Sequence, residues 1–373
     1  MRKTIGVIFG GRSGEHEISV RSANTVIRDM DRSKYRIIPI AIGQDGTWLK
    51  PATSLGLLSP ECVALVEPDI TGIDPRDIIF ISNPKVRDLR DDKIGSPIEI
   101  DVLFPILHGT NGEDGTIQGL MEIEGVAYVG CGVLASSCGM DKLVMKSLFK
   151  EAGLPICKHV SFLRSEWEHD PDIVRRSVND SIGFPCFVKP ANLGSSVGIS
   201  RAENDEELTT AINVAAMYDR RIIAEEALKM REIECAIIGN DHPQASLPGE
   251  YIIRDRSKVF LDYTEKYAGT GNNEFVVPAP VSEQLSDRIR QMAIAAFKAI
   301  DGSGLARVDF FLRTDNGALL VNEINTMPGL TDASGFPKMW AASGKSMSLV
   351  IDELIDLAIE RNQDKQRNMT SLV

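Results

Sequence analysis

The chain has 373 residues, enough at roughly 150 residues per domain for two or three compact units, so a single small binding module is excluded. Hydrophobic residues make up 43% and charged residues 25%, which excludes collagen-like, coiled-coil and largely disordered chains. Asp and Glu number 53 against 41 Lys and Arg, a net charge of -12; general attraction to nucleic acid or to an anionic membrane is disfavoured, and any anionic ligand must be met by local positive charge.

The first element, Thr4 to Phe9, reads as a buried strand, and Arg36 to Ile42 and Ile100 to Leu107 read as further strands between helical patterns. That rhythm predicts an open parallel sheet in a first domain over 1–131. One strand ends at Gly10-Gly11 and another at His108-Gly109, and ligands collect beyond the carboxyl ends of such strands. The apolar run after Met1-Arg2-Lys3 stops at Gly10 without a cleavage site, so it is expected to be a strand rather than a signal peptide. No stretch approaches ~18 consecutive apolar residues, so no membrane span is expected. The 6 cysteines lie far apart with no zinc-type cluster, which fits free thiols in a cytoplasmic protein.

After Gly132 the texture changes. Ser136 to Lys142 opens an amphipathic helix expected to end near Gly153, and a second domain is expected over 132–219. Phe184 to Ser200 reads as strand, glycine-rich loop, strand. Further strands are expected at Arg221 to Glu226, Glu232 to Ile238, Leu305 to Leu312 and Ala318 to Glu323, with helices near 205–217, 283–300 and 346–361. These give antiparallel α+β texture, with a third domain over 220–373. Arg254 to Phe275 is polar and loop-like.

The most informative residues lie near the end. Ala306 to Leu312 and Leu320 to Asn325 flank Asp315-Asn316-Gly317, which reads as a three-residue hairpin loop. With 314 and 318 as the flanking pair, Asp309 falls opposite Glu323 and Arg307 opposite Asn325, all on one face. Opposed carboxylates repel unless a cation lies between them, and an Asp, Glu and Asn oxygen set suits Mg²⁺ bridging phosphates. An ordinary exposed face with one Arg-Asp pair is the alternative. Ala191 to Gly198 is a glycine-rich turn after Lys189, able to aim N–H groups at phosphate, or simply a tight turn. Gly344-Lys345-Ser346 lacks the earlier glycine of a Walker A loop, Met339 standing there, and Gly10 to Gly14 does not spell the dinucleotide fingerprint. Taken singly, Lys142, Lys189 and Lys266 fit solvated surface lysines as well as phosphate ligands, and Glu15 fits simple stabilisation in a first helical turn.

Taken together, Gly10 to Ser19, His108 to Gly115, Met140-Asp-Lys142, Val188 to Gly198, Arg231 to Cys235, Lys266-Tyr267, Gly304 to Asp309 and Asn322 to Gly329 resemble the D-alanine:D-alanine ligases of the ATP-grasp superfamily, in order along nearly the whole chain. The resemblance implies a Rossmann-like N-terminal domain and two antiparallel-sheet domains clasping ATP. It implies phosphate contacts from Lys142, Lys189 and Ser196, an adenine edge at Glu225, Glu226 and Leu228, and a ribose contact from Glu232. Two Mg²⁺ ions, with Mn²⁺ as a substitute, fall to Asp309, Glu323 and Asn325. Glu15 matches the acceptor for the first D-alanine's ammonium, linked to Ser195 and Tyr267, with His108 beside that substrate. Arg307 and the Gly329 N–H match donors to the tetrahedral oxyanion, Ser334 and Gly335 the second substrate's carboxylate site, and the loop carrying Lys266 and Tyr267 a lid. The implied reaction joins two D-alanines for peptidoglycan precursor in a homodimer. The nearest rivals are a D-alanine:D-lactate ligase, which Tyr267 disfavours, and an ATP-grasp ligase for another amino acid. The sequence departs from the family pattern at Leu330, where Phe is commoner, and at Gly335, where a larger apolar residue is.

Overall fold

The computed structural model describes residues 2–67, 100–194, 197–253 and 273–369. In the N-terminal part, β1 (Lys3–Gly10), β2 (Tyr35–Ile42), β3 (Val102–Ile106) and β4 (Ala127–Tyr128) form one sheet in the order β2-β1-β3-β4, every pair parallel. β1 is an inner strand covered on both faces, which is why it reads as a continuous apolar run: Ile5, Val7, Ile8 and Phe9 are each 0% exposed. It ends at Gly10, where φ is +88° and an added Cβ would lie 2.3 Å from the Ile42 carbonyl oxygen, so only glycine turns the chain here. That turn delivers Glu15 to the N-cap position of the helix His16–Asp29.

The central sheet contains β5 (His159–Leu163), β6 (Cys186–Pro190), β7 (Ser200–Ala202) and β8 (Arg221–Glu226), in the antiparallel order β5-β8-β6-β7. It has its own core, in which Val178, Val188, Leu208, Ile212 and Ile222 are fully buried. The C-terminal sheet holds β9 (Met230–Gly239), β10 (Gln244–Ala245), β11 (Gly249–Ile253), β12 (Asn273–Val276), β13 (Gly304–Arg313) and β14 (Leu319–Asn325), in the order β12-β11-β9-β13-β14 with β10 on β9. The first and last parts share a core, where Phe9, Val26 and Phe104 meet Ile238, Met327, Leu330 and Leu354.

The structure redraws three expectations. The helix expected to run from Ser136 to Gly153 is two, Val133–Met140 and Lys142–Glu151, because Asp141 leaves helical geometry and its Oδ1 accepts from the Leu143 and Val144 N–H groups as an N-cap. Both helices pack with the C-terminal sheet, burying Ala135, Met145 and Phe149 there, while β8 is an inner strand of the central sheet. We therefore propose a central domain from about His159 to Glu226 instead of 132–219, since sheet pairing, which a change of composition does not report, decides membership. Finally, the loop expected over Arg254 to Phe275 ends in β12, which pairs antiparallel with β11; residues 254–272 lie outside those described.

Candidate active site

The two antiparallel sheets and the ends of β1 and β3 line one cleft, open to solvent. Its lining brings together Glu15, His108, Lys142, Lys189, Glu225, Glu226, Leu228, Glu232, Arg307, Asp309, Glu323, Asn325 and Gly329. Ser334 and Gly335 lie outside that lining, and Ser195, Ser196, Lys266 and Tyr267 fall outside the described residues.

On the C-terminal wall, Asp309 pairs with Glu323 and Arg307 with Asn325, the expected register, reached by a different route. The hairpin closes at Arg313 and Ala318, whose N–H···O bond is 2.8 Å, because Thr314 leaves the ladder to donate from its N–H to the Lys229 carbonyl at 2.9 Å. A β-bulge then places Asn322 as an extra residue between Val321, opposite Phe310, and Glu323, opposite Asp309. The longer loop and the bulge cancel. Without the bulge the Asn322 side chain, not the Glu323 carboxylate, would meet Asp309.

Arg307 grips both Asp309 carboxylate oxygens at 2.6 Å, and its Nε is 3.4 Å from Glu234 Oε2. Asn325 Nδ2 donates to Asp309 Oδ2 at 3.1 Å, and Glu323 Oε2 is 3.8 Å from Lys142 Nζ. Among the described residues no group of three or more His, Cys, Asp and Glu is set to hold a metal; the hairpin offers two carboxylates and one amide. That set fits Mg²⁺, which takes one or two carboxylates and completes its shell with phosphate and water oxygens. Asp309 is bound by a guanidinium and an amide N–H, and a half-turn of the Asn325 amide would present its oxygen in place of that N–H.

The opposite wall gathers lysines around a buried carboxylate. Glu225, buried on β8, takes Lys189 Nζ at 2.6 Å and Lys146 Nζ at 2.8 Å. Burial would raise its carboxyl, but the attraction of the two ammonium groups wins and holds it well below the usual carboxylate range. Burial likewise opposes charge on Lys189, and Glu225 overrides it, leaving the ammonium raised. Lys142, whose Nζ donates to the Leu193 carbonyl at 2.9 Å, is lowered by burial, with Glu323 opposing. Lys146 was not among the residues singled out from sequence. Its signal was one helical turn of spacing after Lys142, on the face that also buries Met145 and Phe149. Glu226, at the end of β8, accepts from the Lys158 N–H at 2.9 Å beside Leu228 and Glu232 in the cleft.

At the strand ends of the first sheet, Glu15 stands beside Gly109 and Gly194: Cβ atoms added there would lie 2.6 and 3.6 Å from its Oε2. His108 is buried, and that burial lowers its imidazole, with Glu15 opposing. Glu113 is pushed up to about 8, by burial first and then by the Glu15 carboxylate. Ser334 is buried, its hydroxyl 2.8 Å from that of Thr331. Gly335 opens the helix Gly335–Ala342, and a Cβ on it would lie 2.5 Å from Glu234 Oε2 and 2.8 Å from the Phe275 ring. Phe275 thus fills the space that a side chain at 335 would take, and Leu330 sits wholly in the shared core.

A cleft between two antiparallel sheets, with lysines on one wall and an oxygen-bearing hairpin on the other, defines an ATP-grasp ligase fold. Comparison with known proteins sharpens the class. Residues 4–131 match a family model described as D-ala D-ala ligase N-terminus, and residues 148–356 one described as D-ala D-ala ligase C-terminus. The D-alanine--D-alanine ligase of Heliobacterium modesticaldum is 44% identical, over 99% of this chain and 98% of its own length. That of Geobacillus thermodenitrificans is 45% identical, over 98% of each. Among solved structures, the D-alanine-D-alanine ligase from Coxiella burnetii superposes with a TM-score of 0.78 at 35% identity, covering 98% of this chain and 96% of that one. The VanG D-Ala:D-Ser ligase from Enterococcus faecalis does so with 0.80 at 32%, covering 96% and 100%. The chain belongs to the D-alanine–D-alanine ligase family.

Proposed function

We propose that this protein joins two D-alanines to D-alanyl-D-alanine at the expense of ATP, through a D-alanyl phosphate, as a step in peptidoglycan precursor synthesis. The observation that carries the reading is the convergence, in one cleft, of Glu15, the Lys142 and Lys189 pair, and the Arg307–Asp309–Glu323–Asn325 face. In the first step the carboxylate of one D-alanine attacks the γ-phosphate and ADP leaves; Lys142 and Lys189 offset the phosphate charge. Asp309, Glu323 and Asn325 would hold Mg²⁺, two ions with Mn²⁺ as a substitute, which would supply further charge neutralisation. Glu225, Glu226 and Leu228 would hold the adenine edge, Glu232 the ribose and Ser196 a phosphate oxygen.

Glu15, linked to Ser195 and Tyr267, would receive the first ammonium. The amine of the second D-alanine, its carboxylate held by Ser334 and the backbone at Gly335, then attacks the acyl carbon, losing a proton as phosphate departs. Arg307 and the Gly329 N–H would donate to the tetrahedral oxyanion. Lys266 and Tyr267 belong to the segment proposed as a lid that excludes water. We place the protein in the cytoplasm as a homodimer; the free state of all six cysteines and the absence, among the described residues, of a helix long and apolar enough to cross a membrane fit that placement.

The D-Ala:D-Ser ligase among the structural neighbours makes the second substrate the point to test, because the same fold admits other nucleophiles. The assay supplies ATP, Mg²⁺ and D-alanine alone, then with D-serine, D-lactate or L-alanine, and follows ADP and product mass. D-Alanyl-D-alanine as the main product is expected throughout. A preference for ester, for D-alanyl-D-serine or for L-alanine would displace the reading.

A further inference from the structure

The segment Met327–Leu330 is held from three sides. Glu113 Oε1 accepts from the Met327 N–H at 3.2 Å, while its Oε2 accepts from the Gly109 N–H at 2.7 Å. His108 Nδ1 lies 2.9 Å from the Met327 carbonyl oxygen. Ser22 Oγ accepts from the Leu330 N–H at 3.2 Å and lies 3.3 Å from His108 Nε2. A carbonyl oxygen only accepts, so His108 Nδ1 carries the proton, and in the neutral ring Nε2 then accepts from the Ser22 hydroxyl. Each polar atom of His108 and of the Ser22 hydroxyl is therefore engaged within the protein. Pro328 has no N–H, and those of Met327 and Leu330 are taken, which leaves the N–H of Gly329, a residue that lines the cleft, as the backbone donor of this segment without a partner among the described residues.

We infer that Ser22, His108 and Glu113 form a clamp that presents the Gly329 N–H to the second, amide-forming step, with His108 a positioning residue rather than a substrate ligand. The inference rests on the oxyanion role proposed above for Gly329. Ser22 follows Glu15 and Ser19 on one face of the helix His16–Asp29, at spacings of four and three. Ser19 anchors that face to β1 and β3, accepting from the Gly10 N–H at 2.7 Å and donating to the Ile106 carbonyl. The helix that carries Glu15 to the first substrate thus fixes, two turns on, the donor for the second step. Removing the Ser22 hydroxyl frees the Leu330 N–H and the His108 Nε2 together, so the Gly329 donor loses its aim while the nucleotide wall on β8 is untouched.

The test is Ser22→Ala, read as dipeptide formed per ADP released. Wild type is expected to give a ratio near one. The variant is expected to lose about tenfold to a hundredfold in dipeptide rate, less than the roughly hundredfold to thousandfold of an oxyanion donor removed outright. Its ratio should fall below one as stranded acyl phosphate hydrolyses, with the KM for ATP within twofold of wild type. Ser22→Cys, similar in volume with a weaker hydrogen-bonding group, should fall between, and it carries the same comparison if Ser22→Ala does not fold. A ratio that stays at one, whether the rates fall together or not at all, overturns the clamp. A wild type that makes no dipeptide overturns the functional reading itself, and the two failures are separate.

Discussion

The two charged walls of the cleft are built on opposite plans. On the hairpin, Asp309, Glu323 and Asn325 face one guanidinium and a lysine 3.8 Å away, so their oxygen atoms outnumber the fixed cations around them. On β8 a single buried carboxylate, Glu225, takes two ammonium groups from two different elements. One wall therefore has capacity for a cation, and on the other Lys146 would remain to neutralise Glu225 if Lys189 turned to an anion. The lesson is that the net charge of -12 says little about where ATP binds, since the local balance on the two walls has opposite signs.

The sharpest way to break the contrast is Glu323→Gln, which keeps shape and removes one charge from the hairpin. Because a divalent ion contributes several kcal/mol of charge stabilisation, turnover should fall on the order of a thousandfold in a folded variant. Near-normal turnover with an unchanged melting curve would make the face an ordinary ion-pair surface.

The opposite wall should answer in stability. Glu225→Leu leaves two buried ammonium groups without their partner, and breaking such a pair costs about 3–5 kcal/mol. Urea unfolding measures this, and a loss under about 1 kcal/mol would show that the wall is not held by this charge. By linkage, a carboxyl held below its unfolded value contributes stability that is present above the ordinary pKa of 4.5 and is lost as pH falls through the folded value. The variant should therefore differ most from wild type above about pH 5 and least in strong acid.

Smaller effects probe the edges of the two walls. Gly335→Leu must displace Phe275 or the Glu234 carboxylate, and overpacking of this kind costs about 1–3 kcal/mol. A rise in the KM for the second D-alanine without a change in the KM for ATP would assign the disturbance to the second-substrate side. A different readout, pH dependence, belongs to Glu113. Its carboxyl is raised from 4.5 to about 8, so the folded state holds a proton that the unfolded chain has lost, and stability falls as pH rises between those values. Glu113→Gln should flatten that slope in denaturation curves taken from pH 5 to 8; an unchanged slope would mean that another group carries it.

The hairpin face was legible in the sequence because its information is local. Two strand-like runs, a short turn and a period of two suffice to oppose Asp309 with Glu323, even though the closing pair is Arg313 and Ala318 and the bulge at Asn322 restores the register. The parallel first sheet was legible for a similar reason: strands buried on both faces read as apolar runs. The Glu225 wall was not, since Lys146, Lys189 and Glu225 come from three elements, and only the pairing of β6 with β8 and the packing of the helix Lys142–Glu151 bring them within 3 Å. The clamp on Met327–Leu330 was hidden in the same way, its hydrogen bonds spanning 214, 219 and 308 residues of chain. Sequence alone determined the element types, the hairpin face and the ordered motifs that mark the family. Tertiary structure decided which sheet owns β8, which lysine answers which carboxylate and which backbone N–H is left for a ligand, because long-range pairing and burial set those and no local period encodes them.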